Sequence, residues 1–589
     1  MTIPALLDRN ARDHGDLPAL TALGSPDTLT WAQLRDRVAA LALGLHATGL
    51  RTGDRMLILM ANRPEHWLAD LAAVHLGAVP ATAYATLSVE QLRYLAAHSR
   101  ARLVVAENAA ELDRIRKAVA DLPQPPRIVI VDGDADPAVV SLAEVEAAGA
   151  AALAAEPARF DELWRAVRPE QPVTLLYTSG TTGDPKGVLL SHANVVAQAE
   201  VLEVTVPVPD HSPTLAYLPL AHIAERMLSV YNAVYRAGHV TTCPDAAQLA
   251  AGLAAVRPLT FFGVPRVWEK MVAGLQAFLA AADPAVRAAF EAASAATLEA
   301  FDLREAGEPI PAELAARVAA LDERVLQPVR ARLGLDRVAW AGSGAAPIPV
   351  AVLRFLAGAG LHVLEVWGMT ETTGTATVNT PDAFRTGTVG RINPGMQLRI
   401  GEDGELQVRG PLVCLGYLRP DGGVEPAADA DGWLATGDVG TLDADGFVTI
   451  TDRKKELIIT SGGKNIAPAQ IENLLRAHPL IGQAVAIGDR RPFVTALIVL
   501  DEDAAPAWAR ARGLAEDLAA LAGDPALLAE IGAAVDAANA RLSRPEQVKA
   551  FRVLPSTWRP ETGEVTPTLK LRRRVIVERY AEAIDALYA

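Results

Sequence analysis

The sequence is poor in cysteine, with only Cys243 and Cys414 among 589 residues. Neither has a neighbour at metal-ligand spacing, which excludes a structural zinc site, an iron–sulfur cluster and a disulfide framework. A basic excess is also lacking, because 55 Lys and Arg against 70 Asp and Glu give a net charge of −15. An acidic chain repels phosphate backbones, so we expect no nucleic-acid partner.

Long apolar runs are absent as well. The first twenty residues carry five charged side chains, which interrupt any signal-peptide-like stretch. The longest uncharged run, residues 71–89, contains Gly, Pro, Thr and Ser and is too polar to cross a bilayer. We therefore expect a cytoplasmic protein, and the sequence leaves peripheral membrane contact and the oligomeric state open.

What is present is the composition of a folded α/β protein, 50% hydrophobic and 21% charged. Residues 55–60 form an apolar run that predicts a strand. Asn62 is predicted to cap a helix that has Pro64 in its first turn and continues to about His75, before a second strand at 78–81. This strand–helix–strand unit, repeated in later segments, predicts a largely parallel sheet.

The rest of the chain changes character twice. Residues 266–332 are predicted to be a helical insertion with an apolar stripe, and residues 398–451 a small β-rich subdomain with Asp-Gly turns. Strands at residues 481–487 and 494–500 and an Ala-rich helical stretch at about 504–542 are predicted within residues 452–589. The predicted fold class is α/β, with a large N-terminal domain of several subdomains, residues 1–451, and a smaller α+β C-terminal domain.

The strongest local signal is LLYTSGTTGDPKG at residues 175–187, an apolar strand that runs into glycines, hydroxyl side chains and Lys186. Glycines let backbone N–H groups approach a polyanion, and the lysine adds positive charge, so the segment predicts a polyphosphate cradle. The usual G-x-x-x-x-G-K-[ST] nucleotide loop cannot be drawn here. The alternative interpretation is that this segment binds no ligand and is a flexible loop between two elements.

This loop resembles the phosphate-binding signature of the adenylate-forming enzymes, the superfamily of acyl-CoA synthetases, peptide-synthetase adenylation domains and beetle luciferase. Further segments match that superfamily in the same order: GSGAAP at 342–347, WGMTE at 367–371, TGD at 436–438, DRKKE at 452–456, SGGKNI at 461–466 and PTLK at 567–570. The resemblance extends from before residue 60 to the C-terminus.

The resemblance implies a reaction in two steps. A carboxylate attacks the α-phosphate of ATP to give an acyl-adenylate and pyrophosphate, and the thiol of coenzyme A then displaces AMP. Lys570 is assigned to charge stabilisation in the first step, and Glu371 to catalysis and to Mg²⁺, which prefers oxygen ligands. Taken alone, Lys570 would belong to a solvated basic face with residues 572–574, and Glu371 would be a helix N-terminal residue.

The resemblance also implies which residues bind the nucleotide and coenzyme A. Asp438 is expected to accept hydrogen bonds from both ribose hydroxyls, although Asp in a TGD sequence is also an ordinary turn residue. The residues assigned to cofactor binding are Thr178, Ser179, Gly180, Thr181, Thr182, Gly183, Lys186, Gly342, Gly344, Ala345, Trp367, Gly368, Thr370, Asp438, Arg453, Gly463 and Lys464.

Four of the assigned residues carry more specific expectations. Trp367 replaces the more usual Tyr or Phe and is expected to stack on adenine. His222, in PLAHIAER at 219–226, is expected near the acyl carbonyl, although a lone histidine is as readily structural. Asp452 matches the family's hinge position, which makes the C-terminal domain mobile. Arg453 after it is expected on the ribose or in a surface salt bridge.

Within the superfamily, the sequence resembles the long-chain acyl-CoA synthetases most. The resemblance lies in PLAHIAER, the helical insertion and DRKKELIITSGGKNIAP at 452–468. The predicted substrates are a fatty acid, ATP and coenzyme A. The stripe of the insertion, on which we place Ala273, is expected to contact the alkyl chain, although such a stripe is more often core. The main alternative is a fatty acyl-AMP ligase that loads a separate carrier protein. A nucleotide sensor and a luciferase-like oxygenase are weaker alternatives.

Overall fold

The computed structural model describes residues 1–178, 184–461, 465–566 and 570–589. The first strands are β1 (Pro18–Ala22), β2 (Thr28–Thr30), β3 (Arg55–Leu59), β4 (Val79–Thr82), β5 (Ala101–Asn108), β6 (Arg127–Asp132) and β7 (Val139–Ser141). The first helices are α1 (Ile3–Asp13), α2 (Trp31–Ala47), α3 (Pro64–His75), α4 (Val89–Ser99), α5 (Ala109–Val119), α6 (Leu142–Ala155) and α7 (Ala158–Arg165). Strands β3 to β7 form a parallel sheet in the order β4-β3-β5-β6-β7.

The predicted strand–helix–strand unit is present as β3, α3 and β4, but the predicted cap is wrong. Arg63 occupies the N-cap position of α3 and makes no side-chain capping bond. The amide Nδ2 of Asn62 donates instead to the carbonyl of Leu218, 3.2 Å away. Pro64 at the start of the helix has no N–H to satisfy, which reduces the need for a cap.

The middle of the chain supplies the strands around the candidate site. They are β8 (Pro172–Thr178), β9 (Lys186–Ser191), β10 (Pro213–Ala216), β11 (His239–Thr242), β12 (Thr260–Gly263), β13 (Trp340–Ser343), β14 (Val363–Trp367), β15 (Thr377–Val378) and β16 (Arg391–Ile392). Strands β12 to β16 form one sheet in chain order, and β10 and β11 join β1 and β2 in another. The α/β fold class is confirmed.

Helices dominate this middle part outside the sheets. They are α8 (His192–Thr205), α9 (Ile223–Glu225), α10 (Asn232–Arg236), α11 (Leu249–Val256), α12 (Pro265–Ala281), α13 (Pro284–Glu305), α14 (Ala312–Leu321), α15 (Gln327–Arg332) and α16 (Val350–Gly358), with π-helical turns at Arg226–Tyr231 and Asp322–Leu326. In α12, Leu275 and Leu279 are buried in one cluster with Phe290 and Leu326. Ala273 is exposed, so its placement on the apolar stripe was wrong.

The β-rich segment contains β17 (Gln397–Ile400), β18 (Glu405–Arg409), β19 (Gly416–Leu418), β20 (Val424–Glu425), β21 (Leu434–Leu442) and β22 (Val448–Arg453). Four of these form an antiparallel sheet in the order β17-β18-β21-β22. Strands β19 and β20 belong to a different sheet, in which β19 pairs with β9. This pairing connects the β-rich segment to the strand that begins at Lys186.

The C-terminal segment has its own hydrophobic clusters. Its strands are β23 (Ile458–Ile459), β24 (Asn465–Ile466), β25 (Ile481–Ile487), β26 (Val494–Leu500) and β27 (Val548–Leu554). Its helices are α17 (Pro468–Arg476), α18 (Ala504–Arg510), α19 (Leu518–Leu521), α20 (Pro525–Asn539), α21 (Arg573–Arg579) and α22 (Ala581–Asp585). No helix within the described part of the chain has the length and apolarity to span a membrane.

Candidate active site

Asp438 lies on β21, where one carboxylate oxygen accepts a hydrogen bond and the other forms an ion pair. The indole Nε1 of Trp367, at the end of β14, donates to Oδ2 at 2.7 Å, and Nε of Arg453 lies 3.0 Å from Oδ1. Arg453 is also the direct partner of Asp438 in the β21–β22 register. The preceding residue, Gly437, has a φ of +73°, a conformation that favours glycine. The carboxylate is therefore held in one orientation.

Glu371 lies in a 3₁₀ turn, Thr370–Thr372, directly after β14. Its side chain is buried, and Tyr417 Oη donates to its Oε1 at 3.1 Å. Burial raises the pKa of Glu371, while the Tyr417 hydrogen bond and the positive charges of Arg453 and Lys186 act in the opposite direction. The turn thus presents one carboxylate among cations.

Tyr417 links this carboxylate to Lys186 of the glycine-rich segment 175–187. Its strand β19 pairs with β9, and Lys186 at the start of β9 places its ammonium 4.7 Å from the centroid of the Tyr417 ring. That distance is within the range of a cation–π interaction. The phenol therefore contacts the lysine with its face and Glu371 with its hydroxyl.

Lys570 reaches the same site from the C-terminal segment. Thr566 and Lys570 exchange two hydrogen bonds, from Thr566 N–H to the Lys570 carbonyl at 2.7 Å and from Lys570 N–H to Thr566 Oγ1 at 3.0 Å. Burial and the charge of Arg453 lower the pKa of Lys570 to about 8, whereas the carboxylates of Asp438 and Glu371 act to raise it. The ammonium therefore lies within electrostatic range of both acids.

His222 is a neutral imidazole within the electrostatic influence of Lys570. Its Nδ1 accepts the Ala224 backbone N–H at 3.2 Å, which leaves the ring proton on Nε2. Burial lowers the pKa of His222 to about 4, and the positive charge of Lys570 adds to this shift. The ring can therefore donate one hydrogen bond from Nε2 at neutral pH.

A buried ion pair holds the turn that carries His222. Arg226, with its side chain fully buried, pairs with Asp70 of α3. Its guanidinium also donates to Tyr231 Oη at 3.1 Å and to Thr82 Oγ1 at 3.1 Å, and its backbone N–H donates to the His222 carbonyl. A charge removed from water needs such partners. The network fixes the His222 turn against β4 and α3.

The small residues of GSGAAP and WGMTE stand where side chains would collide. A Cβ at Gly342 would lie 2.1 Å from the Trp340 ring, and one at Gly344 would lie 2.9 Å from Val366. At Gly368 a Cβ would lie 1.8 Å from the carbonyl of Gly374. Ala345 has a φ of +71°, in the left-handed region. These positions form a tightly packed surface beside β14.

The remaining predicted residues divide into two groups. Thr178 ends β8 and Thr370 begins the 3₁₀ turn that carries Glu371. Several others lie outside the described residues: Ser179, Gly180, Thr181, Thr182, Gly183, Gly463 and Lys464. The same holds for residues 567–569 of the lysine segment.

Asp452, the predicted hinge residue, lies in β22 with a buried side chain. Its Oδ2 accepts the backbone N–H of Ala469 at 2.9 Å, in the first turn of α17, and its Oδ1 accepts that of Arg453 at 2.6 Å. Burial raises the pKa of this carboxyl to about 6, against the effect of these two bonds. Asp452 thus connects β22 directly to the C-terminal segment.

Comparison with protein families gives two matches, which lie on either side of residues 419–454. The AMP-binding enzyme family matches residues 7–418. The AMP-binding enzyme C-terminal domain matches residues 455–589. The chain belongs to the AMP-binding enzyme family. The resemblance read from the sequence motifs is confirmed by these matches.

Several relatives of this AMP-binding enzyme align along its whole length. It is 37% identical to the long-chain-fatty-acid–CoA ligase FadD15 of Mycobacterium bovis, over 100% of this chain and 97% of the relative. It is 31% identical to the long-chain-fatty-acid–CoA ligase ACSBG2 of Xenopus laevis, over 100% of this chain and 84% of the relative. Its fold is similar to the adenylation domain of a carboxylate reductase from Mycobacterium chelonae, with a TM-score of 0.75, 21% identity and coverage of 100% and 91%.

Two residues of this AMP-binding enzyme's site escaped sequence analysis. Tyr417 lies in a segment with no motif, and its role depends on β19 pairing with the distant strand β9 as well as with its neighbour in sequence, β20. Arg226 lies within PLAHIAER. It could be recognised as a buried charge only if this segment were first predicted to be buried, because arginine is rarely buried without a partner. Its partner Asp70 is more than 150 positions away in the sequence. Nothing in the sequence of α3 indicates that this acid is buried.

Proposed function

We propose that this AMP-binding enzyme is a long-chain fatty acid–CoA ligase that uses ATP, Mg²⁺ and coenzyme A. One observation carries the proposal: Lys570 of the C-terminal segment lies within electrostatic range of Glu371 and Asp438, and its charge reaches His222. The names of full-length relatives support the choice of a long-chain fatty acid and of coenzyme A.

In the first step, a carboxylate oxygen of the fatty acid attacks the α-phosphorus of ATP. A P–O bond forms to the acyl group and the P–O bond to pyrophosphate breaks, giving acyl-AMP. Negative charge accumulates on the phosphate, and Lys570 and Lys186 offset it. Asp438 accepts from the ribose hydroxyls, and the Nε2 proton of His222 is available to the acyl carboxylate.

Glu371 is the proposed protein ligand for Mg²⁺. Within the described ranges no three His, Cys, Asp or Glu side chains are grouped as a metal cage. A single carboxylate suits Mg²⁺, which commonly binds through one or two carboxylates together with phosphate and water oxygens. When bound, the cation neutralises phosphate charge. Tyr417 orients the Glu371 carboxylate for this role through its hydrogen bond.

In the second step, the thiol of coenzyme A attacks the acyl carbonyl. A C–S bond forms and the thiol proton passes to solvent, while the C–O bond to AMP breaks and AMP leaves. Lys570 and the pantetheine arm need the same space, so the C-terminal domain must move between the steps. We propose that residues 1–451 and 452–589 are the two moving parts and that Asp452 is the pivot. We also propose a cytoplasmic location, and cell fractionation tests peripheral membrane contact.

The decisive experiment measures AMP release with and without coenzyme A. With ATP, Mg²⁺ and a panel of acids from acetate to oleate, the proposed ligase consumes coenzyme A and releases stoichiometric AMP with the long acids. A fatty acyl-AMP ligase would instead stop at the adenylate when given free coenzyme A. A protein that only binds nucleotide would show no ATP–pyrophosphate exchange with any acid.

A further inference from the structure

The indole of Trp367 contributes a polar contact in addition to its aromatic face. Its Nε1–H donates to Asp438 Oδ2 at 2.7 Å, and both side chains are buried. A hydrogen bond to an ionised acceptor is among the stronger ones in proteins. Of the aromatic side chains expected at this position, only tryptophan has a ring N–H, because phenylalanine has no donor and tyrosine carries its hydroxyl at the ring tip.

The surroundings of the indole keep this donor in place. Trp367 is only 7% exposed and belongs to the same buried cluster as Met396, Leu406 and Val448 of the β-rich segment. Its backbone carbonyl accepts the N–H of Ala376 at 2.8 Å. Arg453, which forms an ion pair with the other carboxylate oxygen, is less confined, because its side chain is 45% exposed. Trp367 is therefore the rigid partner of Asp438.

We propose that Trp367 is a positioning residue, which presets the Asp438 carboxylate for the ribose of ATP through its indole N–H. The proposal rests on the ribose role of Asp438 in the proposed function. A carboxylate has about four lone-pair sites, so one bond from Trp367 leaves acceptors for both ribose hydroxyls while it stops the carboxylate from rotating. Such preorganisation lowers the cost of ordering on binding.

The test compares ATP with 2′,3′-dideoxy-ATP as substrates in ATP–pyrophosphate exchange. Trp367→Phe should raise KM for ATP about ten-fold, because a hydrogen bond to a charged acceptor is lost. It should leave kcat at saturating ATP within about two-fold, because the lost contact stabilises the bound substrate and the transition state equally. With the dideoxy nucleotide, which offers Asp438 no hydroxyls, the same substitution should change KM little. Trp31→Phe is the matched control, because Trp31 is fully buried and its indole nitrogen has no hydrogen-bond partner.

Double substitution separates this inference from the function on which it rests. If Trp367 acts through Asp438, adding Trp367→Phe to Asp438→Asn should raise KM for ATP by much less than it does alone. An equal rise for ATP and the dideoxy nucleotide would overturn the inference and assign Trp367 to the adenine. An unchanged KM in Asp438→Asn alone would remove the ribose role of Asp438 and the inference with it.

A second variant covers the case in which Trp367→Phe does not fold. Replacement of Trp367 by 3-benzothienylalanine keeps the bicyclic shape and substitutes sulfur for the ring N–H. The same rise in KM for ATP, absent with the dideoxy nucleotide, supports the inference, and wild-type KM values for both nucleotides overturn it. Circular dichroism and thermal unfolding establish that each variant is folded.

Discussion

Arg476, the last residue of α17, places its Nη2 2.7 Å from Oε1 of Glu269 in α12. Both side chains are mostly buried, with 15% and 11% of their surface exposed. One turn away on α12, Arg266 pairs with Asp501 after β26. Charges of alternating sign thus join the helical segment to the C-terminal segment in the arrangement that brings Lys570 to the site.

These pairs should favour the arrangement used for adenylation. Arg476→Glu places like charges together and is expected to lower ATP–pyrophosphate exchange about ten-fold, since a lost hydrogen bond to a charged group costs about 1.5–3 kcal/mol. Thiolysis of preformed acyl-adenylate should change less. Combining Arg476→Glu with Glu269→Arg should restore much of the exchange rate.

The matched control for this prediction is Arg510→Glu. Arg510 pairs with Glu516 on the surface of the same segment, with 69% and 45% of the two side chains exposed. Exposed pairs contribute little, so this variant should keep both half-reactions. Equal losses in Arg476→Glu and Arg510→Glu would mean that the effect is one of net charge.

Lys570→Ala should abolish adenylation while the fold persists. Loss of one stabilising contact at a charged transition state typically costs about 3–4 kcal/mol, or two to three orders of magnitude in rate. Pyrophosphate release in single-turnover experiments measures the effect directly. Release at the wild-type rate would remove Lys570 from the chemistry.

The depressed pKa of Lys570 makes a pH prediction. The charged form is the active one, so activity is retained below the pKa of about 8 and lost as the pH rises through it. Above that pH, kcat/KM for ATP in the exchange reaction should fall about ten-fold per pH unit. A profile that stays flat to pH 9, about one unit above the pKa, would contradict the assigned role.

Glu371→Gln should raise the Mg²⁺ concentration needed for half-maximal exchange and slow adenylation. A neutral amide is a poorer ligand for a hard cation than a carboxylate. Glu425→Gln serves as the control, because Glu425 is exposed on β20 next to the strand of Tyr417. If the Mg²⁺ titration is the same in the wild-type protein, Glu371→Gln and Glu425→Gln, another residue binds the metal.

Local patterns predicted much of the fold, because they depend on neighbours in sequence. The strands at Ile481–Ile487 and Val494–Leu500 follow from short apolar runs between turn residues, and α3 follows from Pro64 and its apolar spacing. The family and fold class were likewise readable, because glycine-rich and charged segments occur in a fixed order. The domain boundaries and the site assignments stay predictions.

Sequence patterns could not show which distant residues meet. The Asn62 cap failed because the amide found a partner at Leu218, in a segment that folds against it from elsewhere in the chain. Ala273 was misplaced because it is two positions from Leu275, about 200° around the helix, and so lies on the face opposite the buried leucines. The indole bond from Trp367 to Asp438 depends on two sheets meeting, which no local pattern encodes.

The buried stripe of α12 is predicted to act as core, and not to contact the alkyl chain as the sequence suggested. Leu275 is buried in the cluster of α12 and α13, so Leu275→Ala should lower the free energy of unfolding by about 2–5 kcal/mol. Activity with all acids from acetate to oleate should fall in parallel with stability. Ala273→Trp, on the exposed face, should change neither. A selective loss of long acids in Leu275→Ala would instead place the stripe beside the alkyl chain.

Asp452 tests how one site performs two reactions. Hinges are a few boundary residues that absorb large dihedral changes, and proline fixes φ near −65°. Asp452→Pro is expected to spare adenylation and depress thiolysis. Gly463, outside the described residues, should give the same phenotype when replaced by a bulky side chain, because the resemblance places it on the pantetheine path.

The contacts of Asp452 require a control that removes them without fixing the backbone. Asp452→Asn keeps rotation about φ but weakens the acceptor for the Ala469 N–H, which orders the start of α17. The pivot therefore predicts that Asp452→Pro loses thiolysis while Asp452→Asn keeps most of it. Pyrophosphate exchange and thiolysis of preformed acyl-adenylate are measured separately. Equal losses of thiolysis in both variants would mean that the carboxylate holds α17 in place and that the backbone of Asp452 is not the pivot.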